Sequence, residues 1–463
     1  MTAASFSAPP PGSTLSLSGW GRYPVEECVA YRPEQLEELR SLVLGAPEAS
    51  VIPRGLGRSY GDAALNQGNA VILGDRFDHM LDLDPETGVL HCEASVSLAA
   101  IIDHLLPRGF FFPVTPGSKF ITVGGAIAAD VHGKNHHRSG SMSAWLLDLR
   151  LLTAAGDVLE CSRESHADVF WATVGGMGLT GIILDARLQL QSVQTAYMRA
   201  DYERAANVDA VLSRIDETDH DYAYSVAWID CLARGRSLGR SVLLRANHAR
   251  LDDLPERWRS QPHRVPRRWE PTVPVVLPNF VLNPLSMRIF NALYYQGHRA
   301  RRFVTDCSRY FYPLDSLHHW NRVFGPRGVI QYQALLPPES TREGLIELLE
   351  VIAKAGSGSF LAVLKSMGEA SDGILSFPRP GKTLSLDIPY AGPELLSLLE
   401  KLDRIVLRHG GRVYLAKDSC LQAEVFAEMY PSLPKFQAIK AALDPNQRFS
   451  SSLARRLAIT APS

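Results

Sequence analysis

No run of eighteen apolar residues occurs in this chain of 463 residues, so no segment reads as a membrane-spanning helix. Cysteine is scarce and scattered. Cys28, Cys92, Cys161, Cys231, Cys307 and Cys420 form no C-x-x-C pair, which argues against a zinc site and a disulfide framework and points to a reducing compartment. There is no charge surplus: 48 basic and 49 acidic residues leave a net charge of -1, so nothing global suggests nucleic acid. Residues 1–18 are rich in Pro, Ser and Ala and lack a basic n-region or an apolar h-region. They read as a disordered N-terminus rather than a secretory signal, and a cytoplasmic location follows as the expectation.

At this length, roughly 150 residues per domain predicts two or three domains. The most informative stretch is Arg54-Gly55-Leu56-Gly57-Arg58-Ser59-Tyr60-Gly61-Asp62, which follows the β-branched pair Val51 and Ile52. Its three glycines let backbone approach a ligand closely, and bare N–H groups between Arg54 and Arg58 suit a pyrophosphate. Tyr60 stands where the third glycine of a dinucleotide fingerprint should be, so this is not a Rossmann loop. A G-x-G-x-x-G match does occur at Gly176, Gly178 and Gly181, but it follows a helix and opens a strand, the reverse of what the fingerprint requires.

Other segments are legible from pattern. A first helix is expected with Pro33 at N1 and Gly45 after it. Ala70 to Leu73 and Val89 to Ala94 read as strands, and Ser97 as the cap of a helix carrying Leu98, Ile101, Ile102 and Leu105. Gly and Ala dominate residues 122–130, which suits a flat ligand against backbone or close packing between elements. His132-Gly133-Lys134-Asn135-His136-His137 clusters three histidines without a carboxylate or Cys at ligand spacing, so no metal site is expected. Trp20 between glycines is either a cofactor contact or an anchor.

From about residue 192 alternating, aromatic-rich strands take over, interleaved with the helices 341–355 and 393–409. This predicts a second α+β domain. Residues 410–419 read as a strand with a polar end, and the helix near 436–443 as the last one. Arg257, Arg259, Arg264, Arg267 and Arg268 precede an apolar stretch with four prolines, and His298, Arg299, Arg301 and Arg302 follow it. Residues 257–302 are expected to be a mobile loop. It is either a contact with an anionic lipid surface or a long apolar tail, or solvated charge.

Residues 54–62, 116–117, 122–127, 132–137, 170–176 and 416–419, in this order, resemble the vanillyl-alcohol-oxidase-type flavoenzymes. Within that family the chain looks most like the branch that oxidises a lipid-linked ribose, from Gly19 to Arg456. The resemblance implies an α+β architecture: a two-subdomain, PCMH-type FAD-binding domain over 19–192, a cap over 193–409 built on an antiparallel sheet, and a segment 410–463 that returns to the FAD domain. It implies FAD lined by residues 54–60 (Arg54, Gly55, Leu56, Gly57, Arg58, Ser59, Tyr60), by Gly117, Ser118, Thr122, Gly125 and Ala128, and by His132, Ile183 and Tyr414. Many relatives attach the flavin through a histidine in the first glycine loop. Tyr60 stands there and cannot make that bond, so non-covalent FAD is expected.

The implied reaction is oxidation of the ribose 2′-hydroxyl of a polyprenyl-phosphoryl ribose, the first half of an epimerisation that makes the arabinose donor for cell-wall arabinan. An NAD(P)H-dependent keto-reductase would complete it. Lys417, His132 and Tyr60 are the candidate catalytic groups. Lys134, Trp228, Tyr312, Gln331, Gln333, Lys365, Ser385 and Lys417 would line the substrate side. A plain salt bridge between Lys417 and its neighbour Asp418 is the rival for Lys417. Where the best-known members carry Asn-x-Cys, this chain has Thr383-Leu384-Ser385, and Ser385 cannot form the adduct a thiolate forms. Two other readings stand beside this one: an oxygen-using soluble sugar or alditol oxidase, and a non-catalytic FAD-binding module.

Overall fold

The computed structural model describes residues 11–266 and 268–460. Among the described residues three large sheets, with a small two-stranded one formed by Phe110–Phe111 and Gln191–Ser192, carry an α+β fold. The first is four-stranded, in the order Ser13–Ser18, Val25–Tyr31, Ala70–Leu73, Val51–Arg54, with the last three parallel. The second is antiparallel, in the order Met80–Leu83, Val89–Glu93, Ile182–Gln189, Leu146–Leu152, Val158–Ser162. Together they form the two subdomains. Ser97 and Thr122 cap the helices Leu98–Leu105 and Val123–Ala128 by accepting from the N–H groups of Ala100 and Gly125.

The third sheet is antiparallel and eight-stranded. Its order is Arg301–Asp306, Tyr197–Ala205, Ser241–His248, Tyr224–Ile229, Ala362–Met367, Gly381–Pro389, Val329–Leu336, Arg412–Val413. Because side chains alternate across a strand, one face of this sheet is set by registry. Gln331 lies opposite Asp387, Gln333 opposite Ser385, Val363 opposite Ser385 on the other side, and Trp228 opposite Val363. The helices Thr341–Ala355 and Pro393–Arg408 cover the other face with buried stripes, Leu345, Leu348 and Ile352 from one and Leu395, Leu399 and Leu402 from the other. Among the described residues no helix is long and apolar enough to cross a membrane.

Several expectations are corrected. Residues 13–18 are not disordered: their Ser/Leu alternation pairs with Val25–Tyr31 in an antiparallel ladder, while residues 1–10 lie outside the described residues. The first helix begins at Leu36, with Gln35 rather than Pro33 at its start. The stretch 257–302 is not one loop. It holds the helix Pro284–Gly297 and the start of the edge strand Arg301–Asp306. The helix signal was visible: Asn283 accepts from the N–H groups of Leu285 and Ser286, and Pro284 fills N1. The expected strand over 410–419 is reduced to Arg412–Val413, which still belongs to the cap sheet, so the chain leaves that sheet only after it. It then returns to the first subdomain, where Arg448 donates to the carbonyls of Leu42, Val43 and Ala46. The last helix is Ser452–Arg456, beyond Leu433–Leu443.

Candidate active site

One elongated cavity of about 460 Å³ runs between the first two sheets and on beneath the eight-stranded sheet. Its inner wall is backbone. Gly57 has φ +63°, a conformation that side chains rarely adopt, and it turns the first glycine loop. Gly61 is needed for a different reason: a Cβ there would stand 1.8 Å from the carbonyl oxygen of Asp418. This close approach joins the glycine loop to the segment carrying Lys417, and the Tyr60 N–H donates to the Ala416 carbonyl at 3.1 Å. Arg456 locks the junction from behind, bonding Asp62 at 2.7 and 2.9 Å and Asp418 at 2.9 Å. Asp418 is therefore committed to Arg456, and the rival reading of Lys417, a bridge to Asp418, is not formed. Lys417 instead reaches over the Tyr60 ring, Nζ 4.3 Å from its centroid.

The residues present fit a flavin nucleotide. A side chain added at Gly117 would meet no protein atom within 4 Å, so the space beside this cavity wall is open. Arg58 Nε and His132 Nδ1 are enclosed without a hydrogen-bond partner among the described residues, and both belong to cavity-lining residues. Every expected cofactor residue lines the cavity: the loop 54–60, Gly117, Ser118, Thr122, Gly125, Ala128, His132, Ile183 and Tyr414. Arg54 departs from its expected use. Its guanidinium donates to the carbonyls of Ser18 (2.6 Å) and Ala64 (3.1 Å), so it braces the loop rather than facing phosphate. Arg58 stacks on Trp20, its guanidinium carbon 4.0 Å from the ring centroid, which gives Trp20 a role in the site.

On the cap side Lys134, Trp228, Gln331, Gln333, Lys365, Ser385 and Lys417 line the cavity. Tyr312 does not: it is buried behind the wall, its hydroxyl bonded to that of Thr115 at 2.5 Å. The Gln333 amide donates to His132 Nε2 at 3.0 Å. Burial, with Lys365, His136 and Lys417 nearby, pushes the His132 pKa well below 6.5, so this imidazole is neutral. Enclosure by protein likewise lowers the lysines, Lys134 to about 7 and Lys365 to about 8. Lys417 falls to about 8, held from falling further by Asp387.

Asp387 is the buried acid beside the site that motif reasoning missed. It is fully buried, accepts from the Gln331 amide, and is pushed up to about 7 by desolvation against the pull of Lys417. The signal was the alternation Thr383, Ser385, Asp387: three polar residues on one face of one strand.

A second buried acid lies behind the site. Asp403, in the helix Pro393–Arg408, is raised to about 8 by desolvation and by the charge of Asp418. The folded state thus holds a proton that the unfolded chain releases near pH 4. The contribution of this group to stability is fully present below that pH and is lost, by up to about 1.4 kcal/mol per unit, as pH rises to about 8. In thermal melts at pH 5 and pH 8, Asp403→Asn should narrow the difference in Tm.

Comparison with known proteins agrees with this geometry. An FAD binding domain family matches residues 29–162, and the D-arabinono-1,4-lactone oxidase family matches residues 335–457. The decaprenylphosphoryl-β-D-ribose oxidase of Mycolicibacterium smegmatis is 37% identical over 96% of this chain and 98% of its own length. The chain belongs to the decaprenylphosphoryl-β-D-ribose oxidase family. It is an FAD-dependent oxidoreductase. More distant members of the same wider group are the L-gulono-1,4-lactone dehydrogenase of Mycobacterium tuberculosis, 25% identical over 95% of this chain and 98% of that protein. The L-gulonolactone oxidase of Mus musculus is 24% identical over 95% of this chain and 97% of its own length. The stretch 29–162 that matches the FAD binding domain family holds the glycine loop and His132.

Proposed function

We propose that the protein oxidises the 2′-hydroxyl of a polyprenyl-phosphoryl-β-D-ribose to a 2′-keto group with non-covalent FAD. The carrying observation is the division of one sheet face. The strands Val329–Leu336, Gly381–Pro389 and Ala362–Met367 present Gln331, Gln333, Ser385 and Lys365 to the cavity. The neighbouring strands present Trp228, Val226, Val242, Leu244 and Tyr202. A polar sugar-phosphate end and an apolar tail end are thus side by side. Lys134 and Lys365, half-buried with depressed pKa values, gain charge when an anion arrives, which suits a phosphate.

FAD held by the loop 54–60, Gly117 and Thr122 would supply the acceptor for the hydride of the sugar carbon. The protein does the rest. Lys417 accepts the hydroxyl proton, with Asp387 as its charge partner. Gln331 and Gln333 orient the sugar, and neutral His132 is fixed by Gln333 beside the flavin site. Ser385 lines this pocket without a thiol. A 2′-keto product calls for an NAD(P)H-dependent keto-reductase to complete the epimerisation towards an arabinose donor for cell-wall arabinan. A lipid-linked substrate calls for a peripheral contact with a membrane, and six free cysteines suit the cytoplasmic side.

The match of residues 335–457 to lactone oxidases favours one other reading, a soluble sugar, alditol or lactone oxidase. The absorbance of the purified protein separates the two. Acid precipitation should release the flavin. Anaerobic polyprenyl-phosphoryl ribose in detergent should bleach the flavin band, and L-gulono-1,4-lactone should leave it. Bleaching by the lactone alone would exchange the first reading for the second.

A further inference from the structure

Fifteen large apolar side chains are exposed among the described residues, and eight of them fall within residues 269–293. Trp269 is 86% exposed, Phe280 75%, Leu285 67% and Leu293 65%. This clustering is not the scatter of single apolar residues that any surface shows. The helix Pro284–Gly297 explains how it arises. Met287, Asn291 and Tyr294 face inward: Met287 and Asn291 are buried, the Asn291 amide donates to Asp230 at 2.9 Å, and Tyr294 packs on Trp228, ring centroids 4.5 Å apart, at the cavity. Leu285, Ile289 and Leu293, four residues apart, form the opposite stripe and are exposed. One helix therefore separates the apolar end of the cavity from an apolar outer face.

The charges around this face are one-sided. Residues 271–287 contain no charged side chain. Residues 255–305 contain nine arginines against two glutamates, a surplus of seven positive charges in a chain of net charge -1. Arg257, Arg264, Arg299 and Arg301 are exposed, with no ion pair among the described residues.

We propose that this face seats the protein on an anionic lipid bilayer, with the 280–293 stripe in the acyl boundary and the arginines on the headgroups. The proposal deepens the reading of a lipid-linked substrate and takes its biological sense from it. Apolar residues rimmed by arginine, with Trp at the margin, match the interface of an anionic membrane in both polarity and charge. A second copy of the chain is disfavoured, because an isologous contact would set one arginine-rich rim against another. The helix then stands between the bilayer and the cavity end lined by Trp228 and Tyr294, where an apolar tail would enter.

The test uses the full-length, flavin-loaded protein and phosphatidylcholine vesicles with and without phosphatidylglycerol. Co-sedimentation should require phosphatidylglycerol and weaken with salt, each arginine near the surface strengthening binding about fivefold. Tryptophan emission should shift to the blue on binding, and the shift should be lost in Trp269→Phe. The triple variant Phe280→Asp, Leu285→Asp, Leu293→Asp should lower partitioning by about tenfold or more, while Leu81→Asp, on another surface, should not. Flavin absorbance reports that the variant is folded, and bleaching by substrate in detergent reads the substrate assignment separately. A folded wild type that ignores anionic vesicles, or a triple variant that binds like the wild type, would overturn the proposal even with bleaching intact. So would a dimer in sedimentation velocity that the triple variant abolishes.

Discussion

Lys417→Met should lower kcat by about 10²–10⁴-fold while the protein keeps its flavin spectrum. The size follows from the task. Removing hydride equivalents from an alcohol requires its hydroxyl proton to leave, and Lys417 is the cavity-facing base that protein contacts set over Tyr60. An ordinary lysine, at 10.5, would be protonated at neutral pH and useless for this. Enclosure lowers Lys417 to about 8, so an appreciable fraction is the free amine near neutrality. Methionine fills similar volume and removes both the base and the charge. The fold should tolerate it, because Asp387, already raised to about 7, takes up a proton when its partner is lost. Stopped-flow bleaching of the flavin under anaerobic conditions isolates the chemical step. A variant within tenfold of the wild type would assign the proton transfer elsewhere, and an unchanged KM beside a collapsed kcat would mark a group acting in the transition state.

What could be read from the sequence divides along a physical line. Elements governed by local chemistry were legible: Ala70–Leu73 and Thr341–Ala355 appear at their expected ends, and Ser97 caps its helix. The glycine loop, His132 and Lys417 carried the family resemblance and converge on one cavity. What depended on long-range partners was not legible. Arg54 looked like a phosphate ligand because its carbonyl partners, Ser18 and Ala64, lie in a loop closure that no pattern announces. Tyr312 looked like a substrate contact, yet its hydroxyl is taken by Thr115, 197 residues earlier in the chain. Asp418, next to Lys417 in sequence, pairs with Arg456, whereas the charge that acts on Lys417 is that of Asp387, thirty positions earlier in the chain. The prolines and arginines of 257–302 suggested a loop, because helix capping by Asn283 is a weaker signal than the composition around it.

That pairing yields the second large effect. Asp387→Asn should shift the rising limb of kcat/KM to lower pH, by about one unit or more, and lower the plateau. The sign comes from the charges. The neutral amine of Lys417 is the active form, so the wild-type rate should climb as pH rises through about 8. The Asp387 carboxylate stabilises the ammonium form and holds that pKa up. Asparagine keeps the shape and still accepts from the Gln331 amide, but it removes the negative charge, and desolvation alone then governs Lys417. The lysine loses its proton at lower pH and becomes a weaker base. The variant should therefore lose least below pH 7 and most above pH 8.5, where the wild type is fully active. A structural role for Asp387 predicts something different, a uniform loss at every pH with the limb unmoved. The double variant Lys417→Met, Asp387→Asn separates the two further. If Asp387 acts through Lys417, the second substitution costs almost nothing once the first is made, because coupled residues do not lose activity additively.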